Sequence, residues 1–417
     1  MNNYYSASKF IKKNKLNINT ETISVKNALN RVTASNIFSK VNYPSDDNTS
    51  FDGFALNSSE TKNLNKKNFG YFKIIKVLAA GDNPNIKRVK KFSTVEVMTG
   101  AIIKKPFDTI IPFEKIKYYQ KKNKSKYIVI KKKILKSQFI RLKGSDYKKG
   151  DKILKKGQLI NSAHILALKT LGIEKILVKK KLNIVFYPTG NEFSDKKNIP
   201  FWKIRNSNTS YLDSFMKNLP VNLKIKKIIK DSQINFFKKE IKRNIKSNTD
   251  IIITSGAVSA GKFDFIPSLI KEFKLKNIFK GVAIRPGKPF LFARFVNNKC
   301  FFGLPGNSIS TAACFRFFVL PLIFKSLGIS YEKPILAKLK NNFSKKRNFT
   351  RFIKGRLIFS AKSVPEFQIL KGQESYKIKP FTQSNAWGVF KDGISEFKKG
   401  QYIECYSSSG LNEFLIN

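Results

Sequence analysis

Between residue 181 and about residue 326 the chain alternates short apolar runs with amphipathic stretches, and each run ends in glycine or proline. Leu182 to Tyr187, Asp250 to Thr254 and Cys300 to Phe302 lead into Thr189-Gly190-Asn191-Glu192, Ser255-Gly256 and Gly303-Leu304-Pro305-Gly306-Asn307. Between them, Tyr211, Leu212, Phe215, Met216 and Leu219, then Ile234, Phe237, Ile241 and Ile245, recur at helical spacing. Strands apolar throughout, separated by such helices, predict a parallel sheet covered on both faces. Ligands bind such a sheet beyond its carboxyl ends, so the three glycine-bearing loops should meet on one surface. Glycine lets backbone N–H groups come close to a ligand, and the following helix N-termini favour anions. The pattern therefore predicts a site that handles phosphate.

A chain of 417 residues exceeds one ordinary core, and its apolar pattern changes three more times. Residues 1–45 predict a helix followed by a short hydrophobic region in which Val25, Ala28, Leu29 and Val32 keep helical spacing. Residues 46–140 carry short β runs, such as Phe72 to Leu78 and Tyr127 to Ile130, between turns, and predict an inserted small β domain. Residues 141–180 return to turns, a helix near 162–171 and a strand at Ile176 to Val178, and with 1–45 they form a discontinuous N-terminal or linker domain. Residues 181–327 form the α/β domain, and 328–417 a closing β domain of barrel or sandwich type.

The formal charge of +54, from 81 Lys and Arg against 27 Asp and Glu, would draw nucleic acid or an anionic membrane. The lysines are scattered through every predicted element rather than gathered in a tail. No zinc-finger spacing or paired RNA-binding aromatics accompany them, so solvated faces explain them better than nucleic-acid binding. Cys300, Cys314 and Cys405 are too few for a disulfide framework, which favours a reducing, cytoplasmic setting. The first residues lack a signal-peptide core, and the apolar stretch Ala312 to Phe324, broken by Arg316 and Pro321, predicts a buried helix rather than a membrane span. His164 is the lone histidine, on a predicted helix, so acid-base or metal chemistry falls to carboxylates and lysines.

Three of the motif regions carry acids in this acid-poor chain: Thr49-Ser50-Phe51-Asp52-Gly53-Phe54-Ala55, Thr189-Gly190-Asn191-Glu192 and Ser255-Gly256-Ala257-Val258-Ser259-Ala260-Gly261-Lys262-Phe263-Asp264. A fourth, Arg285-Pro286-Gly287-Lys288-Pro289 with Leu304-Pro305-Gly306-Asn307, carries cations. Singly each is a plain turn; their joint order is the signal. With Val97-Met98-Thr99-Gly100-Ala101 and Arg141 followed by Gly144-Ser145-Asp146, they resemble the molybdopterin molybdenumtransferases, the MoeA and gephyrin E-domain group, over nearly the whole chain. The resemblance weakens after residue 328. It implies an α/β plus β multidomain fold: a three-layer molybdopterin-binding-like domain, the inserted β domain, an elongated N-terminal region and a barrel-like C-terminal domain.

The resemblance also implies a reaction, in which molybdate is inserted into adenylylated molybdopterin and AMP is released with help from a divalent cation such as Mg2+. Asp52, Glu192 and Asp264 are then the catalytic candidates, and with Asp231 the cation ligands, because hard oxygens suit a metal that neutralises phosphoryl charge. Arg285 and Lys288, flanking Gly287, suit molybdate. Thr99, Arg141, Asp146, Ser255, Gly256, Ser259, Gly261, Pro305, Gly306 and Asn307 complete the expected substrate contacts. The family further implies a homodimer with a shared cleft and contact with a molybdopterin adenylyltransferase. Phe51, Asn191, Ala257, Arg285 and Ser308 depart from the usual Met, Asp, Gly, Lys and Pro. A non-catalytic molybdopterin-binding or scaffolding protein on the same fold is the alternative; it would bind without releasing AMP.

Overall fold

Six strands form the central sheet, in the order Val221–Ile225, Leu182–Pro188, Ile251–Ser255, Cys300–Leu304, Leu291–Arg294, Lys276–Lys280. The computed structural model describes residues 2–120, 126–256, 269, 272–295, 297–330, 332–360 and 363–409. The chain divides into two compact units, one of Met1–Ser35, Lys156–Ser162 and Lys175–Asn417, the other of Asn36–Lys155 and Ala163–Glu174.

In the first unit, alternate residues of the sheet feed two cores. Ile184, Phe186, Ile251, Ile253 and Phe302 pack with Leu212 and Met216 of helix Ser207–Met216 and with the helical run Ser308–Leu327. Val185, Tyr187, Ile252 and Phe301 pack with Phe237 and Ile241 of helix Ile234–Lys246 on the other face. Both faces are covered, as the unbroken apolar strands predict. The sheet is not wholly parallel, however. Its first four strands are parallel, whereas Leu291–Arg294 runs antiparallel to Cys300–Leu304, and Lys276–Lys280 pairs antiparallel with Leu291–Arg294 and so returns to the direction of the first four. The link from Arg294 to Cys300 is far shorter than the dozen residues a parallel crossover requires, and it is closed by the Phe295 N–H on Lys299 O at 2.9 Å.

The closing β domain is a five-stranded barrel of Thr350–Ser360, Ser363–Ile369, Ile335–Leu339, Tyr402–Ser407 and Ala386–Phe390, shut by pairing of the first and last. Ile284–Arg285 joins its edge beside Thr350 and Arg351. Barrel and sheet layers share one core, in which Phe317 stacks on Phe352 at 4.0 Å and Arg316 Nε donates to Ser407 O at 2.8 Å. Run Ser308–Leu327 has the length and apolarity of a membrane span, yet 89% of its most apolar window is buried in this core.

The N-terminal helix Tyr4–Lys13 adds Tyr4, Ala7 and Ile11 to the same core. The helical spacing of Val25, Ala28, Leu29 and Val32 does not give a longer helix. Only Val25–Asn27 makes a single 3-10 turn, after strand Thr20–Ser24, which pairs with Lys175–Lys179. Neighbouring backbone claims the rest: Asn30 N–H goes to Ile160 O and Thr33 N–H to Gln158 O, and Asn30 has φ +58°. Val25, Ala28 and Val32 are buried, so the apolar spacing marks core positions without a helix.

In the second unit a six-stranded sheet runs Thr109–Pro112, Gly53–Leu56, Ser93–Val97, Gly70–Leu78, Lys126–Ile130, Lys117–Gln120. Its core is formed by Ala55, Val95, Val97 and Ile110 on one side and by Phe54, Phe72, Ile111 and Ile128 on the other.

Candidate functional site

Strands Leu182–Pro188, Ile251–Ser255 and Cys300–Leu304 end level with one another, Pro188 opposite Ser255 and Ser255 opposite Leu304. Their loops therefore open at one edge. Gly256 N–H donates to Leu304 O at 2.9 Å and Thr189 N–H to Ser255 O at 2.9 Å, so each loop is tied to the next. Gly256 has φ +100°, and a β-carbon there would lie 2.3 Å from Thr189 O. Only glycine can fill this crossing.

The Glu192 carboxylate turns back onto the same glycines. A β-carbon on Gly190, whose φ is +136°, would meet the Glu192 carboxylate, and one on Gly306 would sit 3.8 Å from its Oε1 and 3.5 Å from the Gly256 Cα. Gly190, Gly256 and Gly306 thus form a cradle open to a carboxylate because none carries a side chain. Asn307 caps the next helix, its Oδ1 accepting from Ser310 N at 3.2 Å, and Asn208 Nδ2 donates to Gly306 O at 2.8 Å. The carbonyl of Pro305 accepts from Thr311 Oγ1 at 2.5 Å. Asp231 joins through Asn191, whose Oδ1 accepts the Asp231 N–H at 3.1 Å, and burial pushes the Asp231 carboxyl above the usual carboxylate range. Asn191, where an acid is usual, is thus a loop tie. Ser255 Oγ and Asn208 Oδ1 are buried with no hydrogen-bond partner among the described residues.

The loop Arg285 to Pro289 packs on the helix that Asn307 starts. A β-carbon on Gly287, at φ +108°, would lie 2.5 Å from Cys314 Sγ and 3.8 Å from Ser310 O. Arg285 and Lys288 are exposed, and the Arg285 guanidinium lies 4.8 Å from the centre of the Phe349 ring. Arg285 stands directly beside Arg351 in the strand register. Burial foremost, and then the Arg285 charge, pulls Arg351 below its ordinary pKa, and its Nε lacks a partner among the described residues. Sequence reasoning missed Arg351 because it lies in the barrel, remote in sequence from every motif. Ser308, where proline is usual, bonds Ser207 hydroxyl to hydroxyl at 2.8 Å.

In the second unit Asp52 and Thr99, expected separately, are in contact. Asp52 Oδ1 accepts from Thr99 N–H at 2.6 Å and from Thr99 Oγ1 at 2.7 Å. These bonds, the backbone one foremost, hold the exposed Asp52 carboxyl below the usual carboxylate range. Gly53 is required beside it, since a β-carbon there would lie 2.1 Å from Ile111 O. Phe51 packs edge-on against Phe139 at 5.0 Å. Arg141 pairs with Asn48, and Asp146 is exposed, its N–H on Tyr43 O at 3.1 Å. Ala257, Ser259, Gly261 and Asp264 lie outside the described residues. Among the described residues no three His, Cys, Asp or Glu side chains come together.

Three family descriptions match consecutive stretches: "MoeA N-terminal region (domain I and II)" over residues 4–172, "Probable molybdopterin binding domain" over 187–325 and "MoeA C-terminal region (domain IV)" over 336–407. A protein of Staphylococcus aureus (strain COL) named molybdopterin molybdenumtransferase is 34% identical over 390 residues, 92% of this chain and 90% of that protein. One of the same name from Staphylococcus epidermidis (strain ATCC 12228 / FDA PCI 1200) is 29% identical over 416 residues, 98% and 97% of the two chains. Among solved structures, a molybdopterin biosynthesis MoeA protein from Pyrococcus horikoshii OT3 superposes with TM-score 0.79 at 23% identity, covering 97% of this chain and 99% of that one, which shows the shared fold. From residue 4 to residue 407, by motif, matched domain and architecture, this chain belongs to the MoeA family of molybdopterin molybdenumtransferases.

Proposed function

We propose that this enzyme of molybdenum cofactor biosynthesis inserts molybdate into adenylylated molybdopterin and releases AMP. The observation that carries the reading is the Glu192 carboxylate lodged among Gly190, Gly256 and Gly306 at the carboxyl edge of the sheet. The neighbouring loops present backbone and a capped helix start to an anionic ligand, as a phosphoanhydride requires. Glu192 and Asp231, with Asp52 and Asp264, would hold a divalent cation; the exposed, hard-oxygen character of Glu192 and Asp52 fits Mg2+. When bound, such a cation supplies charge neutralisation at the phosphoryl oxygens.

The chain's own residues do the rest. Thr99 holds the Asp52 carboxyl below its ordinary pKa and fixes its Oδ1, and neither of these bonds uses Oδ2. Arg285, Arg351 and Lys288 offer fixed positive charge to molybdate, and Arg285 and Arg351, adjacent in the strand register and mutually repelling, gain from a bound dianion. Asn307, Ser255 and Asn208 offer polar atoms to phosphate or pterin. The same reading includes a homodimer whose subunits share the cleft, receipt of substrate from an adenylyltransferase, and a cytoplasmic setting.

AMP release from adenylylated molybdopterin, with magnesium and molybdate supplied, tests this. The wild type should release AMP, and Glu192→Gln and Asp52→Asn should lose about a hundredfold or more of the rate, the usual cost of removing one preorganised charge-stabilising group. A mixture of Asp52→Ala and Glu192→Ala subunits should recover part of it. Tight binding of the substrate by the wild type with no AMP formed would replace this reading with the scaffolding one.

A further inference from the structure

Beside the glycine cradle, the loop between Phe193–Ser194 and Ile204–Arg205 carries Phe201 and Trp202, which are 96% and 65% exposed. They are not a loose tip. The two short strands pair in parallel, and the Ile204 N–H donates to Glu192 O at 2.9 Å while the Lys203 ammonium sits on the Asn191 carbonyl. Lys203 N–H closes a turn on Pro200 O at 2.9 Å, and the Arg205 guanidinium folds back on the Lys197 carbonyl at 3.1 Å. Asn206 Nδ2, at the loop's end, reaches Asp195 Oδ1 at 3.1 Å. The two rings meet edge to face, centres 5.0 Å apart, so they stiffen one another while leaving their outer faces in water. A segment held by its own bonds and tied to Asn191 and Glu192 thus presents two large rings to solvent next to the catalytic acid.

We propose that Trp202, supported by Phe201, is a stacking platform for a fused-ring nitrogen heterocycle of the substrate, either the adenine or the pterin. This rests on the molybdenum-insertion reading and deepens it. A flat π-rich ring gains from a flat partner whatever its edge pattern, and an exposed indole supplies that face without needing a pocket. The backbone bond from Ile204 to Glu192 places the platform within two residues of the chain that carries the cradled carboxylate. The phosphate end of the ligand then reaches the cradle while its ring lies on Trp202. Lys203 and Arg205, engaged with carbonyls, hold the tip in place.

The chain has two tryptophans, and the other, Trp387, is fully buried in the barrel, so fluorescence quenching by added ligand reports chiefly on Trp202. AMP, a pterin carboxylate and ribose 5-phosphate are titrated into the wild type and into Trp202→Phe. Quenching by AMP assigns the platform to adenine and quenching by the pterin to the pterin; either supports it, with the signal lost in Trp202→Phe and ribose 5-phosphate silent. In the AMP-release assay Trp202→Ala should raise KM about tenfold, within the range of a base-aromatic stack, with kcat within about twofold. Equal quenching by ribose 5-phosphate, or an unchanged KM in an active Trp202→Ala enzyme, overturns the platform while the function stands. Loss of the native oligomer in Phe201→Ser with Trp202→Ser, without ligand quenching in the wild type, overturns it in favour of a subunit contact. No AMP release by the wild type is the separate failure of the underlying reading.

Discussion

The two ends of the sheet that contains Leu182–Pro188 are built on opposite principles. At the carboxyl end, three glycines and a handful of backbone bonds make a place for one carboxylate. At the amino end lies a cavity of about 420 Å³ lined by Lys15, Lys180, Lys181, Arg294 and Lys299 with Asp250 as the lone acid. The amino end offers both concavity and positive charge, yet its inner cations are already engaged. Lys299 Nζ sits on the carbonyls of Asn244 (3.0 Å) and Ser247, and Arg294 on Asn14 Oδ1 (3.2 Å) and Asn298 Oδ1 (2.9 Å). In a chain of +54, cations mark where elements are tied or solvated. The absence of side chains marks where a ligand can approach.

The sharpest way to break that contrast is Gly256→Ala. The substitution combines a positive φ with a β-carbon 2.3 Å from the rigid Thr189 carbonyl, so the two loops must part. Backbone strain alone is worth about 1–3 kcal/mol, and the overlap adds to it. Urea unfolding should show a loss of about 3 kcal/mol, and AMP release should fall below detection. If Gly256→Ala keeps both stability and turnover, the cradle is not the organising feature of that edge.

At the other end, Lys299→Met should do the reverse. It removes a cation from the last carbonyls of helix Ile234–Lys246, which costs about 1–2 kcal/mol by thermal unfolding. AMP release by the folded protein should match the wild type. A loss of turnover beyond the loss of folded protein would mean that the two ends are coupled and that the contrast fails.

Much of this contrast is legible in the sequence, because it rests on apolar period and on glycine. The strand from Leu182, the helix after Ser207 and the helix bearing Phe237 and Ile241 stand where their periodicity places them. What was hidden depends on contacts made by residues distant in the chain. Arg351 reads as one more basic residue of a β strand until pairing puts it beside Arg285. The antiparallel hairpin was missed because Phe290 to Phe295 is as apolar as a parallel strand, and only the short link to Cys300 reveals its direction. Val25 to Val32 shows the converse error, since buried positions can fall at helical spacing on a chain that merely turns. Phe201 and Trp202 fall in none of the sequence motifs, and that both stay in water is a property of the folded loop.

The smallest expected effect probes whether the amino end is built for charge at all. Burial foremost raises the Asp250 carboxyl above its usual range, against the Asn183 N–H bond at 2.8 Å and the Lys299 charge, which lower it. Between the ordinary carboxylate pKa and the raised folded value, the folded state binds more protons than the unfolded one. Unfolding free energy contributed by this group therefore falls as pH rises through that interval and stays reduced above it. Asp250→Asn keeps an acceptor for the Asn183 N–H and removes the charge. At pH 7 the variant should be more stable by less than about 1 kcal/mol, because solvent at this rim screens the penalty. The difference should shrink as pH is lowered through that interval and close below the ordinary carboxylate pKa, where the wild-type group is protonated in both states. A variant less stable at pH 7, with the deficit shrinking toward acid, would show that attraction to Lys299 outweighs burial. The amino end would then be held by an ion pair rather than by backbone ties to its cations.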